Sequence, residues 1–113
     1  MWSASLAMTI VEQNIGCRVR GVDMDINGLR EKIDAIDDEV VRLFCERMRV
    51  SADIARYKEQ NGLDVYDPER EQSKLENVLG KTDEEFRVYM RGLYEKIFEL
   101  SREYQHFTIN NRQ

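Results

Sequence analysis

The 113-residue chain has little of what most recognisable chemical sites are built from. It holds one histidine, His106, and two cysteines, Cys17 and Cys45, far apart and with no CxxC pattern. So few ligands do not predict a zinc site, or any metal site. The cysteines read as reduced thiols of a cytoplasmic protein, with Cys45 packed as a small hydrophobe. There is one proline, and it lies between periodic segments rather than inside one. No apolar run approaches the roughly 18 residues that would span a membrane. The opening MWSASLAMTI lacks a basic region and a long apolar run, so no signal peptide is expected. No basic run or aromatic–basic cluster interrupts a net charge of −5, and a nucleic-acid partner is not expected either. An acidic chain can still bind an anion, but only through a local cationic pocket.

What is there is helical pattern. Charged residues make up 35% and apolar residues 42%, mixed in a way that suits solvated helix faces around one domain. Residues 1–25 are the least readable stretch, and an unstructured leader is favoured there over a short hairpin around Gly16. From Asn27 to Gln60, Ile33, Val40 and Ile54 recur at sevens, with Leu29, Ile36, Leu43, Val50 and Tyr57 as a second row. This 3-4 repeat predicts one helix of about 34 residues, roughly 50 Å long, with Asn27 as its N-cap and Asn61-Gly62 as its stop. Such a helix is too long for the rest of a small monomer to bury, so it calls for a partner chain.

Asp67-Pro68 opens a second helix, with Asp as cap and Pro at the first helical position, running to about Leu79. Leu75, Val78 and Glu71 share its inner face. Thr82 and Glu85 read as a capping box for a third helix, whose stripe is Phe86, Met90, Leu93, Ile97, Leu100 and Tyr104. The expected class is all-α, three helices per chain with a long first helix.

The cations on the first helix are the anomaly. Arg47 occupies a row otherwise held by Ile33, Val40 and Ile54. A guanidinium buried there without a partner would cost several kcal/mol, so it snorkels, pairs with a carboxylate, or binds a ligand. Lys58 lies roughly 16 Å further along the axis, near enough for both long side chains to lean toward one small dianion. Arg30 precedes Arg47 by roughly 25 Å and cannot serve that ligand within one helix. It could serve a partner's ligand if two long helices cross antiparallel near Val40 and Val41, giving two shared sites per dimer. On the third helix, Ser101 and Gln105 are polar exceptions one turn apart. Glu71, Asp67 and Arg70 also have bland readings, as a first-turn carboxylate, a cap and its surface counter-ion.

Taken in order, these residues carry a resemblance. The segments LREKIDAIDDEVVRLFCERM, ARYKEQNGLDVYDPEREQ and IFELSREYQ resemble the AroQ class of chorismate mutases over about residues 28–106. The resemblance implies an intertwined homodimer that converts chorismate to prephenate, on the route to phenylalanine and tyrosine, without a cofactor. It implies a mutase domain over residues 26–113. The leader over residues 1–25 departs from the family pattern, which gives it no role, and with the chain ending just past the third helix no fused dehydratase or dehydrogenase domain is expected. The resemblance further implies that Lys58 and Gln105 donate to the ether oxygen that leaves during the reaction. Arg47 would grip a substrate carboxylate, and Arg30 would cross to the partner's site. Glu71 would accept the ring hydroxyl, with Asp67, Arg70 and Ser101 lining the same pocket. Sister activities on isochorismate or aminodeoxychorismate, and a non-catalytic helical regulatory module, are the competing readings.

Overall fold

The computed structural model describes residues 25–111, so the expected leader over residues 1–25 lies almost wholly outside the described residues. Those residues form three α-helices and one 3-10 turn, with no strand among them. Helix α1 spans Ile26–Gln60, α2 Pro68–Gly80 and α3 Arg87–Asn110, with the 3-10 turn at Glu84–Phe86. The chain divides between Val41 and Arg42 into two units.

In the first unit, α1 starts one residue earlier than its periodicity suggests, and Asn27 is not its cap. The cap is Asp25, whose Oδ1 accepts a hydrogen bond from the Gly28 backbone N–H at 2.7 Å. An ionised carboxylate at that end also faces the positive pole of the helix dipole. Ile26, Leu29, Ile33, Ile36, Val40 and Val41 are all exposed in the single chain.

In the second unit, α1 ends at the expected Asn61-Gly62 signal. Gly62 takes φ +66°, a left-handed conformation that glycine adopts without a Cβ clash. The Leu63 N–H then bonds back to the Lys58 carbonyl at 2.8 Å, and the Asn61 side chain donates to the Tyr57 carbonyl. These bonds close the last helical turn, the Asn61 side chain adding a second donor to a Tyr57 carbonyl that already accepts from the Asn61 N–H. Helix α2 opens as its sequence predicts, with Pro68 at its start and Asp67 Oδ1 accepting from the Arg70 N–H at 3.1 Å.

The connection to α3 differs from the expected capping box. The Thr82 hydroxyl turns back and donates to the Val78 carbonyl at 2.7 Å, closing α2 instead of opening α3. Arg87 Nε reaches back to the Leu79 and Thr82 carbonyls, at 3.1 and 3.0 Å. The C-terminal carbonyls of α2, which also accept backbone N–H bonds from the turn, thus outcompete the N-terminal amides of the next helix for the one hydroxyl.

The core of this unit is small: Ala52, Ala55, Val65, Leu75 and Phe98. The buried residues of α1 are all small, Ser51, Ala52 and Ala55, with Ala55 wholly buried. The buried face of α3 is Phe98, Ser101 and Gln105, with the Tyr94 ring set edge-on to Phe98 at 5.9 Å. The stripe expected for α3 is therefore displaced, since Phe86 and Leu93 are exposed and Ile97, Leu100 and Tyr104 only half-buried. Cys45 is exposed as well, not packed. Leu43, Val50, Ile54 and Tyr57 on α1 share that exposure. Burial within one chain selects one side of α1 and leaves its apolar rows open.

Candidate active site

A cleft of about 420 Å³ lies wholly within the second unit. That volume is ordinary for a small-molecule site. Helix α1 supplies Arg47, Ser51, Ile54 and Lys58, whose spacings of four, three and four put all of them on one helical face. The loop after it supplies Val65 and Asp67. Helix α2 contributes Arg70, Glu71 and Lys74, and α3 contributes Phe98, Ser101, Arg102 and Gln105.

Seven of the eight residues singled out in the sequence meet in this cleft: Arg47, Lys58, Asp67, Arg70, Glu71, Ser101 and Gln105. Arg30 does not line it. It is an exposed residue of α1 in the first unit.

The site is strongly cationic for an acidic chain. Arg47, Lys58, Arg70, Lys74 and Arg102 face two carboxylates, Asp67 and Glu71. Arg47 has no carboxylate partner among the described residues, and its guanidinium instead lies 5.9 Å from the centre of the Tyr94 ring. Ring and cation attract weakly, which holds the side chain without neutralising it. Lys58 is half-buried and donates from Nζ to the Val65 carbonyl at 2.7 Å. An ammonium has three donors, so two stay available to a ligand.

At the floor of the cleft lies a chain of neutral polar groups. The Ser51 and Ser101 hydroxyl oxygens are 2.7 Å apart, and Gln105 Nε2 donates to Ser101 Oγ at 3.1 Å. All three residues are buried, and Gln105 Oε1 has no partner. Leaving a buried acceptor unpaired costs about 1–3 kcal/mol, so such groups concentrate where a ligand or a rearranged bond satisfies them. Turning the amide over supplies one answer. Oε1 then accepts from the Ser101 hydroxyl, and the two Nε2 hydrogens become free to donate into the cleft.

Two members of the site were not singled out from sequence as chemistry. Ser51 shares its turn of α1 with Arg47 and Ile54, and a serine among apolar neighbours was its only signal. Arg102 follows Ser101 directly. Its Nη1 donates to both carboxylate oxygens of Glu71, at 2.6 and 2.5 Å. The Glu71 hydrogen bond is the chief reason its pKa lies above the ordinary arginine value. Its guanidinium also lies 5.0 Å from the centre of the Tyr66 ring.

Such a cleft can hold a compact dianion by charge and present neutral and charged donors to one acceptor atom. No group of three or more His, Cys, Asp or Glu residues able to hold a metal ion occurs among the described residues.

Comparison with known proteins points the same way. Residues 29–106 match the family model described as chorismate mutase type II. The chorismate mutase of Methanocaldococcus jannaschii is 44% identical over 43 residues, which is 38% of this chain and 43% of that protein. The bifunctional chorismate mutase/prephenate dehydratase of Enterobacter agglomerans is 33% identical over 79 residues, 68% of this chain and 20% of that one. Among solved structures, a chorismate mutase (form II) from Thermus thermophilus superposes with a TM-score of 0.69 at 32% identity. That match covers 72% of this chain and 93% of the other. The chain spans less than half the length of the curated relatives it matches.

Proposed function

Because the chain belongs to the chorismate mutase type II family, we propose that it converts chorismate to prephenate, in the cytoplasm, on the route to phenylalanine and tyrosine. The observation that carries this reading is the convergence of Arg47, Lys58, Glu71 and Gln105 on one cleft from three helices.

The reaction is an intramolecular [3,3] rearrangement. One C–O bond breaks, one C–C bond forms, and no proton or group passes to another molecule. It calls for no cofactor. Its barrier falls when a flexible dianion is held in a compact, chair-like conformer. Arg47 serves as the grip on one carboxylate, with Arg70 beside it. Glu71 accepts from the ring hydroxyl, and the Asp67 cap keeps the start of α2 in place beneath it. Ser101 orients Gln105.

The second requirement is charge. Negative charge builds on the ether oxygen as the C–O bond breaks, and fixed donors in a poorly hydrated site stabilise it most. Lys58 Nζ and Gln105 Nε2 take that role. A millionfold acceleration needs about 8 kcal/mol of differential stabilisation. Two donors at about 3–4 kcal/mol each, the scale of oxyanion-hole donors, reach that figure.

A homodimer completes the reading. The exposed apolar rows of α1, from Ile33 and Ile36 through Val40 and Leu43 to Val50 and Tyr57, support it. Burial of such a stripe against a second α1 is favourable at roughly 25 cal/mol per Å² of apolar surface. Arg30 then serves the partner's cleft and receives the partner's service in return, as two-fold symmetry requires. The leader over residues 1–25 remains outside the mutase domain of residues 26–113.

The test is loss of chorismate with identification of the product. Prephenate is the expected product. Release of pyruvate from isochorismate, or turnover of aminodeoxychorismate alone, would replace this activity with a sister one.

A further inference from the structure

The Glu71–Arg102 pair joins α2 to α3 at the edge of the cleft. Both side chains are partly buried, 23% and 32% exposed, and both line the cleft. One nitrogen of Arg102 spans the two oxygens of Glu71, and the Tyr66 ring lies against the guanidinium. An ionised carboxylate has about four lone-pair sites, so the pair still leaves acceptor capacity for a ligand. The remaining cleft cations, Arg47, Lys58, Arg70 and Lys74, make no ion pair with Glu71.

We propose that Arg102 is a positioning residue for Glu71, and that its charge makes this end of the cleft select a neutral hydroxyl over an ammonium. The inference rests on the reading of the cleft as a chorismate site. A half-buried carboxylate standing alone prefers a cation to a hydroxyl, because charge-assisted hydrogen bonds are the stronger kind. With Arg102 in contact, that charge is already matched. A substrate ammonium brought to the same carboxylate then meets a like charge within a few ångströms, and like-charge juxtaposition is a common way to reject a wrong partner. A hydroxyl donates without that repulsion. Arg102 also fixes where the Glu71 oxygens point, since a carboxylate held at both oxygens cannot swing toward Arg70 or Lys74.

The experiment compares chorismate with its analogue bearing an amino group in place of the ring hydroxyl. The enzymes are wild type, Arg102→Lys, Arg102→Met, Glu71→Gln and the Glu71→Gln/Arg102→Met double variant. Methionine keeps an unbranched stem against Tyr66 and removes the charge, and a thermal melt reports folding. The ratio of kcat/KM for the hydroxyl substrate over the amino one should fall at least about tenfold in Arg102→Met. It should stay within about threefold of wild type in Arg102→Lys, whose ammonium keeps the charge and, like the single Arg102 nitrogen, has donors enough for both oxygens. For chorismate, KM should rise more than kcat falls, since the hydroxyl, though on the carbon next to the breaking C–O bond, neither breaks nor forms a bond itself. In the Glu71→Gln background, Arg102→Met should lower the ratio less than it does in wild type, because Arg102 there still repels an ammonium but no longer positions a carboxylate.

An unchanged ratio in Arg102→Met overturns the proposal. So does an equal effect with and without Glu71, or a ratio lowered at least about tenfold in Arg102→Lys. The last outcome decides the matter even where Arg102→Met fails to fold. A wild type that turns over neither substrate overturns the chorismate reading together with this one, whereas normal wild-type turnover with an unchanged ratio overturns this one alone.

Discussion

Ser51 on α1 and Ser101 on α3 share a hydrogen bond of 2.7 Å between their hydroxyl oxygens, and that bond reaches Gln105 through Ser101. Two helices distant in sequence are thereby tied beneath the cleft by neutral groups. Substituting Ser101 by alanine removes the orienting partner of Gln105 and leaves Ser51 with an unpaired hydroxyl. We expect kcat to fall several-fold to about tenfold, with stability lowered by about 1–2 kcal/mol. Steady-state kinetics and urea unfolding check the two effects separately. Unaltered kcat would detach the serine pair from the chemistry.

Lys58→Ala should lower kcat by at least about a hundredfold, the scale of losing one donor to a developing oxyanion. The variant also loses its bond to the Val65 carbonyl. A melting curve therefore has to accompany the rate. Near-normal kcat in a folded Lys58→Ala enzyme would remove Lys58 from the mechanism.

Gln105 donates without titrating. Wild-type kcat should then stay level between pH 6 and 8, while Gln105→Glu should lose activity as pH rises. The donating form of a glutamate is the protonated one, present below its pKa and lost above it, and burial raises that pKa. A wild-type profile that falls steeply between pH 6 and 8, and is flattened by a change at position 105, would contradict the assignment.

The shared-site dimer is tested by mixing inactive chains. An Arg30→Ala chain and an Arg47→Ala chain each lack one arginine at both sites of their own homodimer. In the mixed dimer one site has both arginines and the other neither, so about half of the wild-type activity per dimer should return. Mixed dimers that recover nothing would rule out arginines contributed from both chains to one site.

Gly62→Ala tests the turn that ends α1. Nothing lies within 4 Å of an added Cβ, so the cost is backbone strain alone at φ +66°. A loss of about 1–2 kcal/mol in urea unfolding is expected. Stability equal to wild type would mean the turn adopts another conformation.

The readable parts of the sequence were those whose signal is local. Asn61-Gly62 and Asp67-Pro68 mark helix ends by their own backbone chemistry, and both stand where expected. Lys58, Glu71 and Gln105 were legible as candidates because charged or polar groups interrupt apolar rows, and they line one cleft. What depends on competition between distant groups was harder to read. Thr82 had two sets of backbone partners and took the carbonyl of the helix behind it. The inner face of α3 is displaced toward Phe98, Ser101 and Gln105, because adjacent faces of an amphipathic helix differ little until a neighbour is packed against one. Arg102 looked like any surface arginine, since its partner Glu71 lies 31 positions away.

The turn after α1 has a consequence for how the protein moves. The backbone carbonyl of Lys58 accepts from the Leu63 amide, and its ammonium donates to Val65 two residues on. One residue thus both locks the turn and arms the cleft. Fraying of the last turn of α1 withdraws the ammonium, so the fraction of time that the Leu63 amide is open to hydrogen exchange measures the fraction of molecules disarmed. Slowing that exchange, by a ligand or by a stiffer loop, should raise the working fraction without altering any group in the cleft.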